Sequence, residues 1–530
     1  MTKTYLLTLL LLATNLIYAQ KVTVTWGEEG KKELEYVSLV KGQGSDMIKL
    51  CFENHGGGGF FAKKRTVTPI LSRYNDKLSQ VGEEEFGADD KDVSFNTLLS
   101  VKGKIFMFTS QYDKDSKSTN FYCQTINSTS LKAEGGVISL GSFDAINKTS
   151  QTTVGFQVSK DSSKILMFGL APFRKNENET YYMAVYDNTM KKQWENTVAL
   201  PYADKFVKVL SSIVTNDGKV GVIIKHYDQE VTKESVKGDG SRMPSYKVKF
   251  LLYEPKNNKP GEYVLDLKDK FVHEIRLTND NNNNFMLFGL YKTNYNGYIN
   301  GYFLTTIDKQ TKAVTLNKME AFPDDLIELV KKDRQASDKE SDPGLHTQFT
   351  LSNIVDRGDG SKDYLVEYNK SELVTNNYYD GKTWHYSTYW LYHYGDIIDI
   401  NGRETGKTVF TRIPKLQISK DKILYSHFKA LPYKDKLLLF YNDDRDNVDR
   451  DLSKRPDDVV KFGRSILMMA TIDAKGTITR ESLYDHRKMD LTTCVNECCI
   501  LDNSHIGLYA LKGGGVFSSA KDMIGILEVK

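Results

Sequence analysis

Four consecutive glycines follow a histidine in the stretch FENHGGGGFFAKKR, which runs from Phe52 to Arg65. Such a run is typical of the backbone oxyanion hole that some serine hydrolases place beside their nucleophile. These enzymes carry the serine in a G-x-S-x-G turn between a strand and a helix. The chain contains no such turn and no alternating helices. We therefore interpret the glycine run as a loop, with Phe60 and Phe61 as candidate binding residues on it.

The densest aromatic cluster lies between Asn376 and Asp396, in NNYYDGKTWHYSTYWLYHYGD. Aromatic side chains at the tip of a hairpin can stack on sugar rings or anchor a protein partner. The alternating aromatics further along the same stretch, Trp390, Tyr392 and Tyr394, are expected to pack between sheets instead. The candidate binding residues at the tip are Tyr378, Tyr379, Trp384, His385 and Tyr386.

No motif in the sequence commits the chain to a metal or cofactor. The stretch NDDRDNVDRD places Asn442, Asp444 and Asp446 at alternate positions, as calcium ligands need, but it lacks the glycine and the final glutamate of an EF-hand loop. The stretch CVNECC lacks a second pair of zinc ligands. We expect no cofactor, with calcium as the one ion left open, and five buried thiols rather than a disulfide framework.

No catalytic set emerges from the sequence. His273 and His346 begin strands that could approach a central channel, and Glu274 and Asp363 are the carboxylates that could join them there. The separation of two such carboxylates, which defines a glycosidase, cannot be read from one sequence. The tripeptide that begins at Arg357, an integrin-like RGD, is interpreted as a tight turn.

The composition excludes some partners and suggests export. Lys and Arg number 72 against 69 Asp and Glu, so no concentrated basic character points to nucleic acid. Residues 1–19 carry Lys3, an apolar run and a small residue at Ala19, which is the pattern of a cleaved secretory signal. No later segment is apolar enough to cross a membrane. We expect a secreted or periplasmic protein that begins at Gln20.

A repeated pattern of strands must position these residues. A polar turn followed by about six apolar or alternating residues recurs eight times, at intervals of about 55 to 80 residues, as in SVKGKIFMFTS and TNDGKVGVIIK. A further strand and a turn built on Asp or Asn follow most instances. Each unit therefore predicts four antiparallel strands, a to d. The chain resembles the β-propeller superfamily in this repeat architecture, without the signature of any subfamily.

This resemblance implies an all-β, closed β-propeller of four-stranded antiparallel blades over residues 20–530. Eight blades are predicted, with seven as the alternative, and the strand KVTVTWGEE near the N-terminus should close the ring by pairing with MIGILEVK at the C-terminus. One helical insertion is expected near 323–340, at Asp324–Arg334. The connections between strands b and c are long, so elaboration is expected on one face.

Loops held by a rigid scaffold often carry function, so we place the binding site on the face of the b–c connections. The sequence predicts an exported, non-catalytic scaffold that binds a protein or glycan of the cell envelope. Two alternatives stay open at this stage. One is a glycan-active hydrolase or lyase with carboxylates in the central channel, and the other is a structural subunit of an envelope assembly.

Overall fold

A computed structural model describes most of the chain in side-chain detail. The described residues are 21–31, 37–55, 66–86, 93–230, 233–238, 241–255, 257–331, 344–357, 361–379, 383–402, 406–421, 423–513 and 521–530. The predicted signal segment 1–19 and the loop residues Phe60 and Phe61 lie outside them.

Strands dominate the described residues and form eight sheets of four or five strands, which we number 1 to 8. The first strand, β1 (Val22–Lys31), belongs to sheet 8. Sheet 1 contains β2 (Val37–Lys41), β3 (Met47–His55), β4 (Thr66–Tyr74) and β5 (Gln80–Glu85). Sheet 2 contains β6 (Val93–Val101), β7 (Lys104–Asp113), β8 (Ser118–Ile126), β9 (Ala133–Asn147) and β10 (Ser150–Gln151). Sheet 3 contains β11 (Thr153–Val158), β12 (Lys164–Leu170), β13 (Asn178–Asp187) and β14 (Lys192–Ala203).

Sheets 4 to 6 follow the same order. Sheet 4 contains β15 (Val207–Val214), β16 (Val220–Tyr227), β19 (Tyr246–Glu254) and β20 (Asn257–Val264), and a separate hairpin of β17 (Ser235–Lys237) and β18 (Arg242–Pro244) lies between β16 and β19 in the chain. Sheet 5 contains β21 (Phe271–Asn279), β22 (Phe285–Lys292), β23 (Gly301–Ile307) and β24 (Val314–Ala321). Sheet 6 contains β25 (Phe349–Asp356), β26 (Lys362–Tyr379), β27 (Trp384–Gly402), β28 (Val409–Ile413) and β29 (Gln417–Lys420).

The last two sheets complete the order. Sheet 7 contains β30 (Lys429–Tyr433), β31 (Lys436–Asp443), β32 (Ile466–Ile472) and β33 (Ile478–Asp485). Sheet 8 contains β34 (Leu491–Thr493), β35 (Cys499–Ile500), β36 (His505–Lys512), β37 (Lys521–Val529) and β1. The predicted pairing of the terminal strands is present, because β1 runs antiparallel to β37 with Val22 opposite Val529.

The burial of successive strands explains why the sheets pack side by side. Central strands such as β23 are buried along their whole length, whereas outer strands such as β5 alternate between exposed and half-buried residues. A strand buried on both faces needs an apolar layer on each side. Each sheet obtains those layers from its two neighbours, through one hydrophobic cluster per consecutive pair of sheets. A further cluster contains residues of both sheet 8 and sheet 1.

The first strand of each sheet, strand a, lies innermost. Side chains of neighbouring a strands contact each other directly: Gln157 donates a hydrogen bond to Ser212 Oγ at 3.2 Å, and Glu274 accepts one from the backbone N–H of Leu351 at 2.8 Å. The all-β architecture, the four-stranded antiparallel sheets and this radial order are those of a β-propeller, as the sequence predicts.

The tight turns between strands c and d use the Asx chemistry predicted from the sequence. Asp187 Oδ1 accepts from the backbone N–H groups of Thr189 and Lys191, and Asp308 Oδ1 accepts from those of Gln310 and Thr311. Because the side chain satisfies the turn amides, these turns need no further residues. The variable segments of the chain therefore lie elsewhere.

Helices are few among the described residues. Helix α1 (Asp324–Lys331) lies between sheets 5 and 6 and buries Leu326, Ile327 and Val330 against their shared cluster. It begins at the predicted residue, and the rest of the predicted insertion lies outside the described residues. Helix α2 (His486–Met489) and four 3-10 turns, Asp204–Phe206, Arg445–Asn447, Phe462–Arg464 and Val495–Glu497, complete the inventory. All five cysteines are free thiols, as expected.

Candidate functional site

The longest strands of the molecule form a projecting hairpin in sheet 6. Strand β26 has 18 residues and β27 has 19. The neighbouring strand β25 pairs with β26 only as far as Tyr368, and β29 pairs with β27 only between Leu391 and Tyr394. From Leu373 to Tyr389 the two strands therefore pair with each other alone in the described residues, whereas the backbone N–H and C=O of Trp390 still form hydrogen bonds with Asp421, the residue after β29. We call the segment from Lys370 to Trp390 the arm; it belongs to the b–c hairpin of sheet 6, at whose tip the sequence predicts the aromatic cluster.

Two large apolar side chains are exposed on one face of the arm. Leu373 and Trp390 lie directly opposite each other, and their exposed fractions are 56% and 45%. The expectation that Trp390 packs between sheets is therefore wrong, because the arm leaves its sheet before this position. Tyr394, four residues closer to the sheet, is buried as expected. The Trp390 and Tyr392 rings stack with centroids 6.4 Å apart.

The opposite face of the arm carries charge. Glu372 accepts hydrogen bonds from Lys370 Nζ at 2.7 Å and from His393 Nε2 at 3.0 Å. These two hydrogen bonds hold the pKa of Glu372 below its usual value. The arm is therefore amphipathic, with an apolar face and a charged face, and among the described residues no other sheet pairs with it between Leu373 and Tyr389.

The predicted binding residues of the aromatic cluster lie at the end of the arm. The register pairs Tyr378 with His385 and Tyr379 with Trp384, with Tyr386 next in the strand. The structure therefore brings all five residues together on two paired strands, and their side chains lie outside the description. Phe60 and Phe61 cannot be related to them for the same reason.

Other connections between strands b and c also expose apolar side chains. Phe173, Met243 and Val460 lie in the b–c connections of sheets 3, 4 and 7, and each is well exposed. The remaining exposed apolar residues lie mostly on outer d strands, where exposure is expected. We call the side of the propeller that carries the b–c connections the b–c face.

The carboxylates proposed for a central channel do not converge. Asp363 is fully buried on strand b, where it accepts hydrogen bonds from Arg357 Nε and Asn401 Nδ2, both at 2.6 Å. Glu274 is engaged by Leu351 and Arg276. Asp363 is thus a structural partner inside sheet 6, and the expectation that it faces a channel is wrong.

The two candidate histidines also make structural contacts. His273 Nε2 lies 3.1 Å from the backbone carbonyl of Phe349, and burial lowers the pKa of its imidazole. His346 accepts a hydrogen bond from the backbone N–H of Gln348 at 3.1 Å and packs near Tyr298. Arg357, which begins the RGD sequence, has a buried side chain, and residues 358–360, which contain the rest of that sequence, lie outside the described residues.

The acidic loop of sheet 7 is arranged differently from the predicted calcium pattern. Asn442 is buried and donates hydrogen bonds to the backbone carbonyls of Tyr425 and Thr493. The carboxylates of Asp444, Asp446 and Asp457 do approach one another within 4.8 Å. The Asn442 hydrogen bonds come from Nδ2, and its Oδ1, the atom that a calcium ion would need, has no hydrogen-bond partner in the described residues. A calcium site at Asn442, Asp444 and Asp446 therefore stays a prediction.

On the side of the propeller that carries the a–b turns, one lysine side chain connects three sheets. Lys160, in the a–b turn of sheet 3, reaches Asn281 of sheet 5 at 2.7 Å and Asp356 of sheet 6 at 2.5 Å. On the same face, the first strands of sheets 1 and 2 line a cavity of about 800 Å³ together with Ser162, Cys499 and Ile500. No carboxylate lines this cavity in the described part of the chain, so it offers no acid–base pair.

A polar cluster at the base of the arm escaped the sequence analysis. Glu367 on β26 contacts Lys415 and His427, which lie before and after β29. These residues are far apart in sequence and belong to no motif, so only the pairing of β29 with β27 reveals them. The cluster is taken up below.

No protein-family model matches the chain, and no curated protein matches it. Among solved structures, the β-propeller domain of the Trilobed protease from Pyrococcus furiosus is 9% identical, with 85% of this chain and 99% of that chain covered and a TM-score of 0.36. The WD40 domain of SCAP from fission yeast is 6% identical, with 96% and 94% covered and a TM-score of 0.36. The α-L-arabinanase of Penicillium chrysogenum is 9% identical, with 65% and 94% covered and a TM-score of 0.30.

Similarities of this size carry no argument about activity. In the described residues, no helix is long and apolar enough to cross a membrane. By its own sheet order and packing, the chain is a β-propeller.

Proposed function

We propose that the protein is an exported binding scaffold that engages a protein or glycan of the cell envelope through the b–c face. One observation carries the proposal: the side chains of Leu373 and Trp390 are exposed opposite each other, where the arm extends beyond the neighbouring strands of sheet 6. The rigid sheets beneath the arm fix its base, while its apolar face is left for a partner.

The energetics favour a partner that covers this apolar face. Burial of one large apolar side chain contributes about 1.5–3 kcal/mol, and tryptophan is enriched among the few residues that dominate binding energy. Phe173, Met243 and Val460 on the same side of the molecule could extend the contact. An exposed arm with apolar side chains is also a site for unwanted association, which a dedicated partner would prevent.

The backbone of the arm favours a protein partner over a glycan. A strand without a neighbour presents N–H and C=O groups that an extended segment can pair with. Strand β29 already pairs with β27 in this way between Leu391 and Tyr394, Asp421 extends the contact to Trp390, and the arm continues beyond them from Tyr389. A glycan is the second candidate, because the tip carries the aromatic residues from Tyr378 to Tyr386.

The proposal is tested by substitutions on the arm and a matched pair elsewhere. The double variant Leu373→Ser, Trp390→Ser removes the apolar pair. The control, Val264→Ser, Val314→Ser, removes two valines of similar exposure, 56% and 52%, from outer strands. Each purified protein serves as bait for envelope extract of the source organism, at equal concentration and with chemical cross-linking.

A stoichiometric partner retained by the wild type and the control, and lost with the arm variant, is the expected result. Glycosidase and protease treatment of the retained material then distinguishes a glycan from a protein. A partner retained equally by all three proteins would contradict the role of the arm. Export is tested separately, since cleavage of residues 1–19 predicts that the mature protein begins at Gln20.

A further inference from the structure

Three ionisable side chains meet at the base of the arm, where sheet 6 contacts sheet 7. Glu367 Oε1 accepts a hydrogen bond from Lys415 Nζ at 2.7 Å, and Glu367 Oε2 accepts one from His427 Nδ1 at 2.9 Å. The side chains of Glu367 and Lys415 are completely buried, whereas that of His427 is 25% exposed. The buried ion pair therefore supports a histidine at the surface.

The contact with Glu367 determines which nitrogen of the His427 imidazole carries the hydrogen. A histidine that donates Nδ1–H to a carboxylate keeps its other nitrogen, Nε2, as a proton acceptor. In the described part of the chain, Nε2 of His427 has no hydrogen-bond partner, and the ring packs against Tyr394 with centroids 3.9 Å apart. Nε2 is thus an oriented acceptor that solvent can reach.

The backbone of His427 is held in an unfavourable conformation. Its φ is +69°, in the left-handed region, which costs a residue with a side chain about 1–2 kcal/mol. Gln417 supports this conformation, because its Oε1 accepts from the His427 N–H at 2.9 Å. Lys415 Nζ donates to the same oxygen at 3.1 Å, and Gln417 Nε2 donates to the Asn442 carbonyl at 2.8 Å.

A strained backbone conformation persists where several surrounding contacts enforce it. Such conformations are concentrated at functional sites. Packing alone does not require it here, since the ring is only partly buried. Burial would raise the pKa of Glu367, but Lys415 and His427 lower it below its usual value, so the carboxylate stays charged. A charged carboxylate on Nδ1–H holds the proton on that nitrogen, so the lone pair of Nε2 stays open.

We infer that His427 is the proton-accepting residue of a site on the b–c face, whose ligand presents a hydroxyl group or a water molecule to Nε2. In the transfer, the O–H bond breaks and the proton binds Nε2. The oxygen keeps the electron pair and becomes a nucleophile, and the imidazolium keeps its Nδ1–H on Glu367. This inference goes beyond the proposed binding function and does not depend on it.

The test uses diethyl pyrocarbonate, which acylates the unprotonated nitrogen of imidazole. The native protein is labelled at neutral pH, and the rate at each histidine is followed by mass spectrometry. The comparison is Glu367→Gln, Lys415→Met, which removes both charges of the buried pair and keeps the size of both side chains. His505, whose Nδ1 contacts Asp502 far from this site, is the internal reference.

We expect labelling of His427 at Nε2 in the wild type and a lower rate in the double variant, because the carboxylate that holds the proton on Nδ1, and so leaves Nε2 unprotonated, is then absent. The rate at His505 should not change. The control Ser352→Ala, which loses only a 3.3 Å hydrogen bond to Glu367, should match the wild type. An equal rate at His427 in all proteins, or no labelling of it in the wild type, would overturn the inference.

A second measurement needs no change at Glu367 or Lys415. Nitrogen-15 NMR of the wild-type protein with labelled histidine reports which ring nitrogen carries the proton, and His427→Asn assigns the signal while it tolerates the left-handed backbone. The inference requires a protonated Nδ1 and an unprotonated Nε2 at His427. The opposite tautomer would overturn it, whatever the folding of the double variant.

Discussion

Replacement of Lys415 by methionine should destabilise the protein strongly although it removes little packing. Methionine retains most of the aliphatic stem of lysine, so the change leaves the buried volume almost intact. What disappears is the positive charge 2.7 Å from Glu367 Oε1. Both side chains are completely buried, so water cannot replace the missing charge without a structural opening.

The expected cost follows from the geometry of the pair. At 2.7 Å and an effective dielectric constant of about 20, two unit charges attract each other by about 6 kcal/mol. Removal of one partner from a buried pair leaves the other charge uncompensated, and the measured cost of such changes is about 3–5 kcal/mol. His427 retains its hydrogen bond to Glu367 and offsets part of the loss. We therefore expect Lys415→Met to lower the free energy of unfolding by about 3 kcal/mol.

The destabilisation caused by Lys415→Met should depend on pH in a defined direction. In the wild type the pKa of Glu367 is lowered, so its stabilising contribution is present above the unfolded value and is lost as pH falls through the folded value. Without Lys415, the strongest remaining influence is burial, which raises the pKa. The penalty of the variant should therefore shrink between about pH 7 and about pH 5, as Glu367 binds a proton.

The assay is urea unfolding followed by tryptophan fluorescence at both pH values, with Glu367→Gln, Lys415→Met as the matched control. The double variant should recover most of the lost free energy, because no unpaired charge remains in the interior. A loss below about 1 kcal/mol for Lys415→Met, or the same loss at both pH values, would refute the reasoning about the buried pair.

Other perturbations test separate parts of the fold. Replacement of His427 by alanine should leave a protein about 1 kcal/mol less stable than replacement by glycine, because only glycine adopts its positive φ without cost; equal stabilities in urea unfolding would argue against strain there. Gly289→Ala should cost about 2 kcal/mol or more, since a Cβ would lie 2.2 Å from the Phe303 ring, whereas Gly155→Ala, with no atom within 4 Å, should change stability by less than about 1 kcal/mol in the same assay. The five cysteines should react slowly with Ellman's reagent in the native protein and completely in guanidinium, because burial raises the pKa of four of their thiols; five fast thiols in the native state would contradict the packing.

The architecture could be predicted from the sequence because its signals are local and repeated. Each unit carries its own turn chemistry, and Asp187 and Asp308 close their turns as the pattern indicates. The buried central strands, such as β22, are almost continuously apolar, which distinguishes them from the alternating outer strands such as β5. The partnership of β1 with β37 followed from counting strands in the last unit.

The candidate site could be predicted only in part. The aromatic cluster was located at a hairpin, but alternation alone could not show where the hairpin leaves its sheet. Trp390 was therefore assigned to packing, although it is exposed. The reach of a strand beyond its neighbours depends on where those neighbours end, and no residue type marks that point.

The cluster of Glu367, Lys415 and His427 was not predictable for a different reason. Glu367 lies 48 residues before Lys415 and 60 residues before His427, and the three meet because β29 returns to pair with β27. A buried lysine or glutamate looks in sequence like any charged residue of a polar connection. Burial of a charged side chain costs free energy unless an oppositely charged partner offsets it, and the tertiary structure decides which residue becomes that partner.

The claim that the arm binds a partner is tested most directly by its removal. Replacement of Leu373–Trp390 by Asn-Gly leaves Glu372 and Leu391, which already pair, joined by a two-residue hairpin turn. The measurement is cross-linked capture of envelope components by the wild-type protein and by this shortened protein, after circular dichroism and urea unfolding establish that both are folded. The account predicts a stoichiometric partner on the wild type that is absent from the shortened protein. The same partner, captured in the same amount by the folded shortened protein, would contradict it.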